Sequence, residues 1–199
     1  MIQTKAALKY YLSEDRRVYG KVKPNSIKEH IVDWLFPDAN YKFMVCLRHL
    51  EYHLNRGGVI HKLLTYYYQL KRSYWQRKTM TDLKPNTAGP GLHIVHGKVQ
   101  INVNAKLGAN CKINSDVTIG AAGRYDRYGA PQIGNRVYVG TGARILGNIR
   151  IADDVVIGAN AVVIKDILEP GTTWGGIPAR KLSDQGSAPY LRLPKDDKP

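Results

Sequence analysis

Aliphatic residues recur every six positions through the middle of this chain. They stand at Val95, Ile101, Leu107, Ile113 and Ile119, then at Ile133, Val139, Ile145, Ile151, Ile157 and Val163. An α-helix repeats every 3.6 residues and a half-buried strand every two, so neither sustains this rhythm. Two positions before each aliphatic lies a small or branched residue: Val99, Ala105, Cys111, Val117, Val137, Ala143, Ile149, Val155 and Ala161. Gly or Asn commonly follows the aliphatic, as in Ile101-Asn102, Leu107-Gly108, Ile133-Gly134 and Ile157-Gly158. Each unit therefore reads as a short strand and a turn. Three units close one triangular coil of about eighteen residues, and coils stack at the ~4.8 Å spacing of neighbouring strands. Gly and Asn suit the corners because they tolerate positive φ.

The rhythm breaks once. Ile119 and Ile133 are 14 residues apart, so the segment 121–132 leaves the coil as a loop. Long loops on a rigid scaffold are where binding residues concentrate.

Residues 1–80 have a different character. They hold 13 of the 18 aromatics but only 3 of the 19 glycines. Ser26 and Glu29 have the spacing of a capping box, opening a helix that stops before Pro37. Phe43, Cys46, Leu47, Leu50 and Leu54 mark one face of a helix closed by Gly57-Gly58. A further pattern runs through Ile60, Leu63, Leu64, Tyr67, Tyr68 and Tyr74, and a helix over residues 4–18 is also expected. The organisation expected is an α-helical region 1–80, a solenoid 81–183 and a tail 184–199.

The formal net charge is +14, with 15 basic and 6 acidic residues before residue 81. Charge alone admits nucleic acid, phosphorylated small molecules or anionic membranes as partners. The basic, tyrosine-rich segment HKLLTYYYQLKRSYWQRK resembles a helix face more than a base-stacking platform, which does not favour nucleic acid. Such a helix could lie on an anionic membrane surface. No apolar run reaches the ~20 residues of a spanning helix. The N-terminus lacks the apolar stretch of a signal peptide, and two cysteines make no disulfide framework, so a cytoplasmic location is expected, peripheral to the inner membrane face if the basic helix docks there.

The repeat, with the segments GLHIVHGKVQINVNAKLGANCKI, APQIGNRVYVGTGARILGNI and WGGIPARKL, resembles the left-handed β-helix acyltransferases. The nearest group is the serine acetyltransferase family, and within it the short members often encoded for capsule or exopolysaccharide assembly. The fold implied is a left-handed parallel β-helix with an α-helical N-terminal region. Also implied are a homotrimer with active sites between subunits, acetyl-CoA as donor, a hydroxyl acceptor and no metal. Pairing of two trimers into a hexamer stays open.

Transfer from a thioester to a hydroxyl needs a base for the hydroxyl proton and donors for the oxyanion. Histidine is the natural base near neutral pH. The family motif places the catalytic histidine at His96, with His93 as a rival, and an orienting acid one coil upstream at Asp82. The segment after Asp82 is one residue shorter than the family's coil, and so is the step from His96 to Ile101. For the CoA groove the resemblance implies the small corner Gly140, Thr141, Gly142 and Ala143, further small positions at Ala121 and Ala159, and phosphate contacts from Lys165, Arg180 and Lys181.

The acceptor expected is a sugar hydroxyl in polysaccharide biosynthesis. Cysteine-pathway serine acetyltransferases carry a G-D-R-H-P loop and an Asp before the catalytic His. Here the loop ends in Tyr128-Gly129-Ala130-Pro131 with Arg127 the nearest cation, and Val95 precedes His96. An amino-acid acceptor needs its two charges paired, because unpaired buried charge is costly. Two alternatives remain: a serine O-acetyltransferase of cysteine biosynthesis, and a non-catalytic trimeric solenoid scaffold.

Overall fold

The fold is described from a computed structural model of the chain, covering residues 1–21, 35, 37–123 and 128–193. The expected capping box at Ser26 and Glu29 lies outside the described residues. Among the described residues three helices precede the solenoid: α1 (Lys5–Val18), α2 (Ala39–Leu54) and α3 (Val59–Thr79). The Thr4 hydroxyl caps α1 by accepting from the Ala7 amide at 3.0 Å, and the Asp38 carboxylate caps α2 by accepting from Tyr41 at 3.1 Å. α2 buries Phe43, Cys46, Leu47 and Leu50 of the expected face, and Met44 beside them, while Leu54 at its end is exposed.

Thirteen short strands follow: β1 (His93–Ile94), β2 (Gln100–Ile101), β3 (Lys106–Leu107), β4 (Lys112–Ile113), β5 (Thr118–Gly120), β6 (Gln132–Ile133), β7 (Tyr138–Val139), β8 (Arg144–Leu146), β9 (Arg150–Ile151), β10 (Val156–Ile157), β11 (Val162–Val163), β12 (Thr173–Gly175) and β13 (Arg180–Ser183). From β1 to β8 every strand pairs in parallel with the strand three further on, and β10 pairs in parallel with β12. This produces three faces: β1-β4-β7-β10-β12, β2-β5-β8-β11 and β3-β6-β9. The inward residues stack in register, as Ile101, Ile119, Ile145 and Val163 do. The small residues two positions earlier are buried as well, from Val99 to Ala161.

One member of the repeat is out of step. In β1 the residue that turns inward and pairs with Ile113 is Ile94, while Val95 is only half-buried. From Ile94 to Ile101 the chain takes seven residues instead of six. The corner 95–99 has one residue more than the corners below it, and His96 stands exposed in it.

A buried charged group docks the helices onto the first coil. The Arg48 guanidinium is fully buried, as is Asp15, and Glu51 is nearly so. Arg48 Nε donates to Asp15 Oδ2 at 2.8 Å, and Nη1 donates to Glu51 Oε2 at 3.0 Å. Its two terminal nitrogens also donate to the Ala88 and Gly89 carbonyls, at 2.9 and 2.6 Å. The carboxylates reach the coil in turn: Gly91 donates to Asp15 at 2.9 Å and Asn86 to Glu51 at 2.8 Å. One residue from each of two helices, and a second from α2, thus satisfy the turn that begins the solenoid.

After β12 the chain reverses. β13 runs antiparallel to it, and residues 184–193 return along the outside of the β1 face. Ser187 donates to Asp154 at 2.8 Å, Tyr190 packs on Tyr138 with ring centroids 4.6 Å apart, and Lys112 donates to the Tyr190 carbonyl at 3.0 Å. Arg192 reaches the Val18 carbonyl, and Arg17 donates to the Arg192 carbonyl.

Replacing Arg48 by Ala leaves two carboxylates buried without a counter-charge. The expected loss is about 3–5 kcal/mol of stability, read from urea unfolding. Arg48→Lys should recover little, because a lysine cannot donate to four acceptors arranged around one plane.

Candidate active site

The stacking of strands also stacks the corners between them. The corner joining β1 to β2 carries His96. Beneath it lie residues 114–117, then 140–143, then 158–161, each one coil further along. His96 and the Gly140-Thr141-Gly142 turn therefore share one edge of the solenoid, two coils or roughly 10 Å apart. The His96 ring is exposed, and among the described residues no hydrogen bond holds it.

Backbone proximity dictates the composition of the corner below. A Cβ on Gly140 would fall 2.5 Å from the Ala159 nitrogen, and one on Gly142 would overlap the Asn160 side chain. Gly142 also has φ +75°, which L side chains rarely adopt. The Gly142 amide donates to the Ser115 carbonyl at 3.0 Å, and the Asn160 amide donates to the Thr141 carbonyl at 2.8 Å. Thr141 is exposed, and its own amide has no acceptor among the described residues. This corner can thus present a bare amide and an open surface to a ligand. Ala143, by contrast, is wholly buried and its methyl belongs to the core. Only its backbone could border a ligand.

The other nominated residues, Ala159 excepted, sit elsewhere. Ala121 follows β5, and Lys165 follows β11, so both lie on the opposite edge of the β2-β5-β8-β11 face. Lys165 and Arg180 line one small cleft of about 130 Å³ with Trp174. Lys181 is held by Glu169 at 2.7 Å and Asp184 at 2.5 Å, and these carboxylates push its pKa up. Ala159 is exposed on the His96 edge.

Asp82 is not joined to His96. Its carboxylate is 2.9 Å from Lys84 Nζ and accepts from Gln76 Nε2 at 3.2 Å. Asp82 bridges to Gln100 and lines an open groove of about 620 Å³ with Gln76, Arg77, Asn102 and Thr118. Gln76 and Arg77 come from the C-terminal turn of α3. The helical periodicity shows that α3 exists but not that its end lands over this face.

His93 is half-buried, its ring 4.7 Å from that of Tyr19. Burial, with help from Lys112 and Arg192, lowers its pKa to about 4, so the ring is neutral near pH 7 and packed between the helices and β1. Cys46 and Cys111 are buried free thiols, and burial pushes Cys111 up to about 12. Neither is an accessible thiolate nucleophile. No cluster of three or more metal-ligating side chains occurs among the described residues.

The bacterial transferase hexapeptide (six repeats) family matches residues 130–165. The serine acetyltransferase of Helicobacter pylori (strain ATCC 700392 / 26695) is 44% identical over 96 residues, which cover 48% of this chain and 56% of that one. The solenoid is thus similar to the hexapeptide-repeat part of serine acetyltransferases. It spans about half the length of the curated relatives it matches. Among solved structures, the serine acetyltransferase of Neisseria gonorrhoeae in complex with serine superposes with a TM-score of 0.63 at 27% identity, over 90% of this chain and 70% of that one. The serine acetyltransferase of Brucella abortus strain S19 in complex with coenzyme A shares the fold with a TM-score of 0.70 at 24% identity, over 92% of this chain and 70% of that one.

The depressed pKa of His93 has a consequence in solution. The unfolded chain takes up a proton near pH 6.5 that the folded chain refuses until about pH 4. The stability contributed by neutral His93 is complete above pH 6.5 and is lost as the pH falls through that window. His93→Gln should flatten the fall in urea stability between pH 7 and 4. A residual slope should remain from His49 and His53, which burial also lowers.

Proposed function

We propose that the protein is an acetyl-CoA-dependent O-acetyltransferase with His96 as general base and L-serine as acceptor. The observation that carries the reading is the placement of an exposed imidazole on the same solenoid edge as the Gly140-Thr141-Gly142 turn. In this reading the acceptor hydroxyl gives its proton to His96 as its oxygen attacks the thioester carbonyl. The C–S bond then breaks, and the CoA thiolate recovers the proton. The pantetheine arm runs along this corner, past the Thr141 backbone amide, which has no acceptor among the described residues. Lys165 and Arg180 are proposed for the CoA phosphates, since they share a cleft and Lys181 is already paired.

The acceptor moves from the sugar hydroxyl expected in the sequence to L-serine. The curated and structural relatives above are serine acetyltransferases, and one solved neighbour is in complex with serine. The loop that suggested a sugar includes residues 124–127, outside the described residues. The proposed assembly is a homotrimer in the cytoplasm, a neighbouring subunit completing each site.

Thiol release from acetyl-CoA should be followed with L-serine and, in parallel, with hexose acceptors. Turnover is expected with L-serine; turnover with the sugars alone would reverse the acceptor assignment. His96→Ala should lower kcat by about 10²–10⁴, and full activity in that variant would remove His96 as the base. Asp82→Asn should lower it by less than about tenfold, because the Asp82 carboxylate is bonded to Lys84 and Gln76 and makes no hydrogen bond to His96 among the described residues.

A further inference from the structure

The helix α3 packs one side against the molecule and presents a second apolar stripe to solvent. Arg72 and Thr79 are buried, and Leu64, Tyr68 and Trp75 are half-buried against the rest of the molecule. Opposite them, Val59, Leu63 and Leu70 are 76%, 64% and 73% exposed, with Ile60, Tyr66, Tyr67 and Tyr74 exposed alongside. The spacing Val59, Leu63, Tyr66, Leu70 and Tyr74 makes one continuous stripe along a helix of 21 residues, roughly 30 Å long. A stripe of this size on a soluble surface marks a contact site.

The charges around the stripe indicate the partner. At 100° per residue Lys62 falls on one margin of it and Lys71 and Lys78 on the other, while Arg77 closes its C-terminal end. Lys71 and Lys78 lie over the rings of Tyr67 and Tyr74, at 5.1 and 5.9 Å. The helix has no Asp or Glu anywhere along it. A second copy bound across a two-fold axis would set this cation-edged face against itself, with no carboxylate of α3 to answer it. An anionic lipid surface meets every part of the pattern: acyl chains for the aliphatic stripe, the headgroup level for the tyrosines, and acidic headgroups for the marginal lysines. None of the described helices is long and apolar enough to cross a membrane.

We propose that the outer face of α3 lies flat on anionic lipid bilayers and holds the protein at the membrane surface. The inference is independent of acetyl transfer and of the acceptor.

The full chain should be floated with vesicles of phosphatidylcholine alone and with equal parts of phosphatidylcholine and phosphatidylglycerol. Flotation is expected with the anionic vesicles only, and added salt should weaken it. Leu63→Glu with Leu70→Glu should abolish it while leaving acetyl transfer and helical circular dichroism intact, since both side chains point away from the packed side. Lys62→Ala with Lys78→Ala, which leaves the stripe apolar, should weaken the affinity roughly thirtyfold. Failure to float with anionic vesicles, or equal flotation with neutral ones, would overturn the proposal. So would an oligomer, seen by light scattering, that dissociates in the leucine double variant without any vesicle binding, because a second copy would then occupy the face. Preferential retention of duplex DNA would overturn it as well.

Discussion

The fully buried guanidinium of Arg48 is the constraint on which the arrangement of the two halves depends. A charge removed from water must find its counter-charges and its acceptors in the same place. Here the counter-charges come from α1 and α2, and two of the acceptors are carbonyls of the turn that opens the solenoid. The helices therefore cannot slide along the coil or rotate on it without stranding a charge. Apolar contacts alone would tolerate such movement, because they have no direction. The same fixation sets where the end of α3 lies, and so which side chains border the groove that contains Asp82.

Much of the fold is legible in the sequence because a coil cannot close unless every strand contributes one inward aliphatic. Ten of the eleven predicted aliphatics are indeed buried. Val95 is the exception, and the reason is physical. Ile94 is just as apolar, so hydrophobicity does not decide between neighbours, whereas pairing with Ile113 does. The helices of residues 39–54 and 59–79 lie where their periodicity places them. What periodicity does not convey is which side of α3 finds a partner, since tyrosines and leucines occur on both.

The candidate site is legible to a lesser degree. His96 and the 140–143 turn are far apart in sequence, and the eighteen-residue coil is what brings them to one edge. Asp82 shows the limit of reasoning by spacing. Its backbone pairs beside Gln100 rather than beside His96, and its carboxylate takes Lys84, two residues away, and Gln76 as partners. Ala143 makes a related point: a small residue at a corner can be small to admit a ligand, or small because it is packed inside. Its complete burial decides for packing.

Residues 184–193 give the molecule a property that a stack of coils lacks. In a solenoid each coil touches only its neighbours, so the ends are free to fray independently. Here the segment leaving the last coil crosses back over Asp154, Tyr138 and Lys112 and finishes on the first helix. The linear stack becomes a closed loop of contacts, and its two extremities share one fate. That closure also occupies one wall of a three-walled prism, so any neighbouring copy has to approach across the other two.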